Sequence, residues 1–217
     1  MMGEVHLSDQ ATFEAALDRL LSLDDRLHAL VAEAGRPPLR RRAPDFAGLV
    51  NIIIAQQLSV AAARAISART EQVLGGPPTV EALLNASPET LKAGGLSAPK
   101  IRTLTRIARA LADGVVDLAH VEAMEADAAA DYLTRLPGIG RWTADIYLLF
   151  CLGRSDAFPE GDLALQVAAA DAFGLPGRAS ALGLKAIAED WRPYRGVAAH
   201  LLWAYYGARR ARLGAPA

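Results

Sequence analysis

The sequence predicts an all-α fold on three observations. Apolar residues recur at three- and four-residue intervals along nearly the whole chain. Capping residues, glycines and prolines punctuate the segments so marked. No sustained alternation of apolar and polar residues reads as a strand, and no internal repeat is visible. With 217 residues, 52 % of them hydrophobic, the chain is long enough for a real core, as one domain or two small lobes.

Phe13, Leu17, Leu20 and Leu21 mark the first helix, with Ser8 as candidate cap. Asp24 to Ala34 reads as a second, closed by Gly35, and Arg36-Pro37-Pro38 then breaks the chain. Arg40-Arg41-Arg42 is a short basic run with two open readings, a solvated loop or a phosphate contact. Asp45 to Gln57 reads as a buried helix, apolar at Phe46, Leu49, Val50, Ile52, Ile53 and Ile54. Ser59 can cap Val60 to Leu74, which stops at Gly75-Gly76-Pro77-Pro78. Thr79 to Asn85 and Ser87 to Ala93 are short helices, the latter with Pro88 at its first helical position and Gly94-Gly95 at its end. Pro99 to Asp113 and Glu125 to Arg135 follow. Arg141 to Leu152, Asp162 to Phe173, Ser180 to Asp190 and Pro193 to Leu213 complete the series.

A net charge of −1 argues against a non-specific polycation but leaves room for a local cluster of Arg and for backbone N–H groups as anion contacts. Of 23 basic residues only Lys92, Lys100 and Lys185 are lysine, a bias that, with the abundant Ala, reflects a GC-rich genome rather than a binding need. Cys151 is the single cysteine, which rules out a disulfide within the chain; it reads as a small buried hydrophobe. No stretch approaches the ~20 uninterrupted apolar residues of a membrane span. No basic region followed by an apolar run opens the chain, so the expectation is a soluble cytoplasmic protein. His6, His28, His120 and His200 are scattered without metal-ligand spacing.

The densest signal is Leu136-Pro137-Gly138-Ile139-Gly140-Arg141-Trp142-Thr143-Ala144, followed by Phe158-Pro159-Glu160-Gly161-Asp162. The first part reads as a tight turn opening a helix, with Pro137 fixing φ and Gly138 and Gly140 permitting positive φ and close backbone approach. Such a turn aims main-chain N–H groups outward at a helix N-terminus, where an anion is favoured. The second part sets an acid beside it. Together they suit an enzyme that grips a nucleic-acid backbone and does chemistry on it.

These residues resemble the hairpin and acidic loop of the helix-hairpin-helix DNA glycosylases, in particular the 3-methyladenine DNA glycosylase II branch in its compact form. The similarity runs from about Phe46 to Trp203. It implies two helical lobes with a central cleft within a single glycosylase domain spanning 1–217. The hairpin lobe would cover about residues 45–157 and the second lobe 1–44 with 158–217. It also implies a partner, duplex DNA containing alkylated bases. A base stacked in a duplex is inaccessible, so the nucleotide must be rotated out.

The resemblance assigns the work residue by residue. Main-chain groups of Gly138, Ile139 and Gly140 would hold the DNA backbone, with a monovalent cation on hairpin carbonyls as a family option. Gln57 would fill the vacated space in the minor groove, with Leu58 as the fallback wedge; the other reading of Gln56 and Gln57 is that they satisfy buried backbone. Trp142 and Trp203 would clasp the base, since an alkylated purine is cationic and favours an indole face; either could instead be a core residue. Ile146 stands where some relatives have a pocket Tyr, and Tyr147 beside it points about 100° away on a helix. Phe46, Tyr205 and His200 are further candidates for the pocket border.

Asp162 would be catalytic. Breaking the bond to C1′ builds an oxocarbenium-like sugar, which a nearby ionised carboxylate stabilises while orienting water. A plain N-cap aspartate would occupy the same place. Asp156 reads as a loop or capping residue. Relatives that also cut the backbone carry a lysine two residues past the last hairpin glycine; that position here is Trp142, so the expectation is a monofunctional enzyme. The lone cysteine excludes the four-cysteine iron–sulfur cluster of some relatives, no cofactor is required, and a monomer is the default. Other readings are a glycosylase for an oxidised or deaminated base and a non-catalytic DNA-binding module.

Overall fold

The computed structural model describes residues 4–212, and Leu213 lies outside them. Every regular element among the described residues is helical. In order these are α1 (Gln10–Leu21), α2 (Leu27–Ala34), α3 (Phe46–Ala55), α4 (Val60–Leu74), α5 (Val80–Asn85), α6 (Pro88–Ala93) and α7 (Ala98–Ala112). There follow α8 (Leu118–Val121), α9 (Ala126–Leu133), α10 (Arg141–Phe150), α11 (Leu163–Ala172), α12 (Ala181–Ala188), a single 3-10 turn (Glu189–Trp191) and α13 (Arg195–Arg212). An isolated antiparallel bridge between His6 and Arg154 is the only extended pairing recorded among the described residues. No helix there is long and apolar enough to cross a membrane.

The chain divides into two compact units. One joins the N-terminal segment through Arg41 to the segment from Gly153; the other runs from Arg42 to Leu152. The central unit is organised on α3, which is apolar around most of its circumference and therefore buried on most sides. Leu49, Val50, Ile52, Ile53 and Ile54 are all excluded from solvent, each worth about 2 kcal/mol of burial. Helices α4, α7 and α10 pack around them. Gly48 sets the closest approach: a Cβ there would lie 2.0 Å from the Ala43 carbonyl oxygen and 2.9 Å from Cys151 Sγ. Cys151 is a buried thiol outside any disulfide, as its apolar surroundings suggest. Helix α7 turns Leu104, Ile107 and Ala108 inward and leaves Arg102, Arg106 and Arg109 exposed.

The other unit is built on α13, against which α1, α2 and α11 pack. Phe13, Leu17, Leu20, Leu165, Val197, Leu201 and Leu202 form its apolar interior. Trp191 is fully buried and donates its indole N–H to Asp24 Oδ2 at 2.9 Å. Asp24 also takes both Nε (2.8 Å) and Nη2 (2.7 Å) of Arg26. That guanidinium, foremost, holds the carboxyl down to about 2.

Several expectations shift at this level. The cap of α1 is Asp9, whose carboxylate accepts from Thr12 N at 2.8 Å, and not Ser8. Helix α8 was not anticipated at all. Residues 153–157, expected in the hairpin lobe, fold with α13 and the N-terminal stretch of the chain. Leu7 N donates to the Gly153 carbonyl at 2.7 Å, and Gly196 N donates to the Ser155 carbonyl at 2.7 Å. Asp156 is no mere loop acid: Arg195 grips it bidentately, Nε and Nη2 each at 2.9 Å, and Arg192 adds a third contact. Two residues of the basic run, both exposed, make contacts within the chain. Arg41 Nη1 donates to the Leu7 carbonyl at 2.5 Å, and the Arg42 guanidinium lies 5.8 Å from the Phe150 ring centre.

Candidate functional site

The residues singled out for chemistry fall into two groups, one in each unit. In the central unit, α9 ends at Leu133 and the chain turns through Leu136–Gly140 into α10. Gly138 has φ +91, so it takes the conformation that disfavours every other residue, and a Cβ there would meet the Thr103 methyl at 2.8 Å. Gly140 differs. Its φ is −91, and nothing lies within 4 Å of where its Cβ would be. The backbone does not demand glycine at 140; the space beside it is simply open.

Gly140 is also the N-cap of α10, and it supplies no side-chain acceptor to the first turn. The N-termini of α4, α5, α6, α11 and α12 are each closed by a Ser, Thr or Asp side chain, while those of α2, α7 and α9, like that of α10, are not. An end without that acceptor leaves its N–H groups to an outside anion. One expected contributor drops out: the Ile139 N–H donates to the Leu136 carbonyl at 3.1 Å, and its side chain is buried, so it closes the turn. Arg141 ties the hairpin to α9, reaching Asp127 at 2.6 Å and its own helix at Asp145, 3.0 Å. Trp142 follows, half-buried, while Ile146 and Tyr147 are buried.

The turn after α3 is the third feature of this unit. Gln56 leaves the helix with ψ 127, and Gln57 then takes φ +58, the one non-glycine residue with positive φ among those described. Gln57, Leu58 and Ser59 are exposed. Gln56 points back: its Nε2 donates to Thr143 Oγ1 at 3.0 Å. The two adjacent glutamines thus separate, one satisfying the interior and one presented outward.

In the other unit, Asp162 caps α11. Its Oδ1 accepts from Ala164 N at 3.0 Å, Leu165 N at 3.1 Å and Trp203 Nε1 at 3.1 Å. Trp203 comes from α13, 41 residues away, and is half-buried. Sequence reading expected both residues but not the bond between them. The role of Asp162 as helix cap is therefore real, and the indole N–H fixes the same carboxylate from a second element. His200 lies edge-on to Trp203 at 6.1 Å between ring centres and edge-on to Phe13 at 5.1 Å. Burial pushes its pKa down to about 3, so it is neutral and packs as an aromatic. Tyr205 is buried and donates its hydroxyl to Asp171 at 2.9 Å; Phe46 is buried at the start of α3.

No group of three or more His, Cys, Asp or Glu able to hold a metal occurs among the described residues. The hairpin could offer a cation only main-chain carbonyls, and that of Leu136 already accepts the Ile139 N–H.

Residues 50–193 match the family described as HhH-GPD superfamily base excision DNA repair protein. Among curated proteins, the chain is 28 % identical over 204 residues to the alkylbase DNA glycosidase-like protein mag2 of Schizosaccharomyces pombe, covering 91 % of this chain and 95 % of that one. Among solved structures, a DNA-3-methyladenine glycosidase from Bacillus halodurans superposes with TM-score 0.79 at 32 % identity, covering 97 % of this chain and 95 % of the other. The 3-methyladenine DNA glycosylase Mag1 of Schizosaccharomyces pombe, solved in complex with abasic DNA, gives TM-score 0.76 at 31 % identity over 87 % and 95 % of the two chains.

Proposed function

The chain belongs to the HhH-GPD superfamily of base excision DNA repair proteins, and we propose that it is a monofunctional DNA glycosylase that removes alkylated bases from duplex DNA. The observation that carries this reading is the carboxylate of Asp162, anchored by two main-chain N–H groups and the Trp203 indole. The two main-chain bonds are those of an N-cap; the indole N–H from α13 fixes the carboxylate beyond what capping needs, and a pure binding module gains nothing from an extra acid that repels phosphate. The relatives named above, glycosylases and glycosidases for alkylated bases, point the same way.

In this reading the open N-terminus of α10, through Gly138, Gly140 and the first helical turn, receives a backbone phosphate. Gln57, with Leu58 beside it, enters the space the nucleotide leaves. The indoles of Trp142 and Trp203 offer flat faces to a cationic methylpurine, which a normal base satisfies less well. The C1′–N bond then breaks with its electron pair leaving on the base. Asp162 stabilises the resulting positive charge on the sugar and orients a water, whose oxygen bonds to C1′ as its proton passes to the carboxylate. A tryptophan at 142 cannot form a Schiff base, so the reaction ends at an abasic site. No step needs a metal. An enzyme of this kind works beside the chromosome, in the cytoplasm of a bacterial-type cell.

Release of 3-methyladenine or 7-methylguanine from methylated duplex DNA tests the proposal. Wild type should release them and leave the strand intact without alkali, with nothing trapped by borohydride. The reading fails if no methylpurine is released, or if Asp162→Asn is as active as the parent.

A further inference from the structure

The turn between α3 and α4 carries a backbone conformation that its own residues do not favour. Left-handed φ at a non-glycine residue persists only where the surroundings hold it, and such residues gather at functional positions. Gln57 has no local partner that would hold it. The restraint comes from elsewhere. Lys100, in the first turn of α7, donates from Nζ to the Ile54 carbonyl at 2.5 Å and to the Gln56 carbonyl at 3.1 Å. Ile54 is inside α3, and Gln56 is already beyond its end. A lysine at a helix C-terminus is an ordinary stabiliser. This one straddles the end, so it fixes the direction of the turn relative to the helix. The ammonium is partly buried, and that burial lowers its pKa; in such surroundings its hydrogen bonds are stronger than at an open surface. The Gln56 side-chain amide is in turn held by Thr143, which is buried and precedes Ala144 in the first turn of α10.

We infer that Lys100 is a positioning residue: it holds the Gln57–Leu58 turn in the shape that enters the duplex, without touching DNA itself. This rests on the glycosylase reading above. The backbone entering the turn is held from α7 and the Gln56 side chain from α10, while the Gln57 and Leu58 side chains are left facing solvent. A wedge that had to order itself during base eversion would add that cost to every turnover; a turn ordered in advance does not.

The test uses the full chain and compares Lys100→Met with wild type on one methylpurine in two settings, duplex and single-stranded DNA, under single-turnover conditions. Misplacing the wedge should slow release from duplex by between about 10- and 100-fold. Release from the single strand, where no stacked neighbour must be displaced, should change by less than about threefold. Lys100→Arg, which keeps a charged donor, should recover most of the duplex rate. Equal losses on both substrates would mean general damage and overturn the inference, as would an unchanged duplex rate. Amide hydrogen exchange gives a readout without activity: Leu58 and Gln56 N–H, which close onto Ala55 and Ile53, should exchange faster in Lys100→Met while the amides of α10 do not. If wild type releases no methylpurine, the glycosylase reading fails, and exchange alone then decides whether Lys100 holds the turn. Unchanged exchange overturns that too. Should Lys100→Met not fold, Lys100→Gln, which retains one donor, is read in the same way.

Discussion

Helix α10 begins at a glycine that gives its first turn no side chain, whereas α11, in the other unit, begins at an aspartate whose carboxylate fills that place. Both ends carry the same partial positive charge from aligned peptides. At α11 the charge faces the chain's own anion, which a distant indole also holds. At α10 the space beside Gly140 is open, and that glycine leaves the backbone bare. One backbone motif therefore serves two purposes, fixing a negative charge in one unit and leaving room for a foreign one in the other.

The comparison breaks most visibly if the fixed anion is removed. Asp162→Asn keeps the shape and can still cap α11, so the fold should survive while methylpurine release falls by about 100- to 1000-fold, the scale of losing one preorganised electrostatic group. Thermal melting and release rate, measured together, separate the two effects.

Acid should attack the α11 unit before the α10 unit. His200 has its folded pKa depressed to about 3 against 6.5 in the unfolded chain. The unfolded state therefore binds the proton first, and stability that is whole above 6.5 declines as pH falls toward 3, by up to about 1.4 kcal/mol per pH unit. Asp24, lowered to about 2 from 3.8, adds a loss of the same sign below 3.8. Urea titrations between pH 7 and 4 should show this slope in wild type and a flatter one in His200→Leu. Parallel slopes would mean that His200 is not buried neutral.

The two hairpin glycines sharpen the contrast within α10. Gly138→Ala meets both a positive φ and the Thr103 methyl and should cost about 1–3 kcal/mol of stability, read from the urea midpoint. Gly140→Ala meets neither, so folding should change by less than about 0.5 kcal/mol. Its new methyl would nonetheless stand where a phosphate approaches, weakening duplex binding about tenfold, or 1.4 kcal/mol. Equal affinities for Gly140→Ala and wild type would remove α10 from the DNA-binding surface. The smallest effect belongs to Trp203→Phe, which deletes the indole donor to Asp162 and should slow release about fivefold, near 1 kcal/mol.

Most helices were legible because their apolar periodicity and caps are local: Asp45, Ser59, Thr79, Ser87 and Ser180 all cap helices at or within a residue of where the pattern begins. What the sequence hid is long-range or very short. Helix α8 has four residues, too few for a period. The segment 153–157, Gly-Arg-Ser-Asp-Ala, follows α10 directly and carries no local pattern that assigns it to either unit; the ion pairs of Arg154 with Glu4 and Asp156 with Arg195, 150 and 39 residues apart, draw it to the α13 unit. Asp162 and Trp203 stood out singly by resemblance, but a bond across 41 residues has no local trace. The inward turn of the Ile139 N–H and the left-handed Gln57 depend on backbone geometry that residue names alone do not specify. Lys100 looked like one of three sparse lysines, and only its two carbonyl partners give it a part.

The burial of Cys151 under Gly48 has a practical side. Maleimide dyes reach only accessible thiols, so the native protein should stay dark to them. A cysteine introduced on an exposed surface would then carry the sole fluorophore, which lets each unit be tracked on DNA one label at a time.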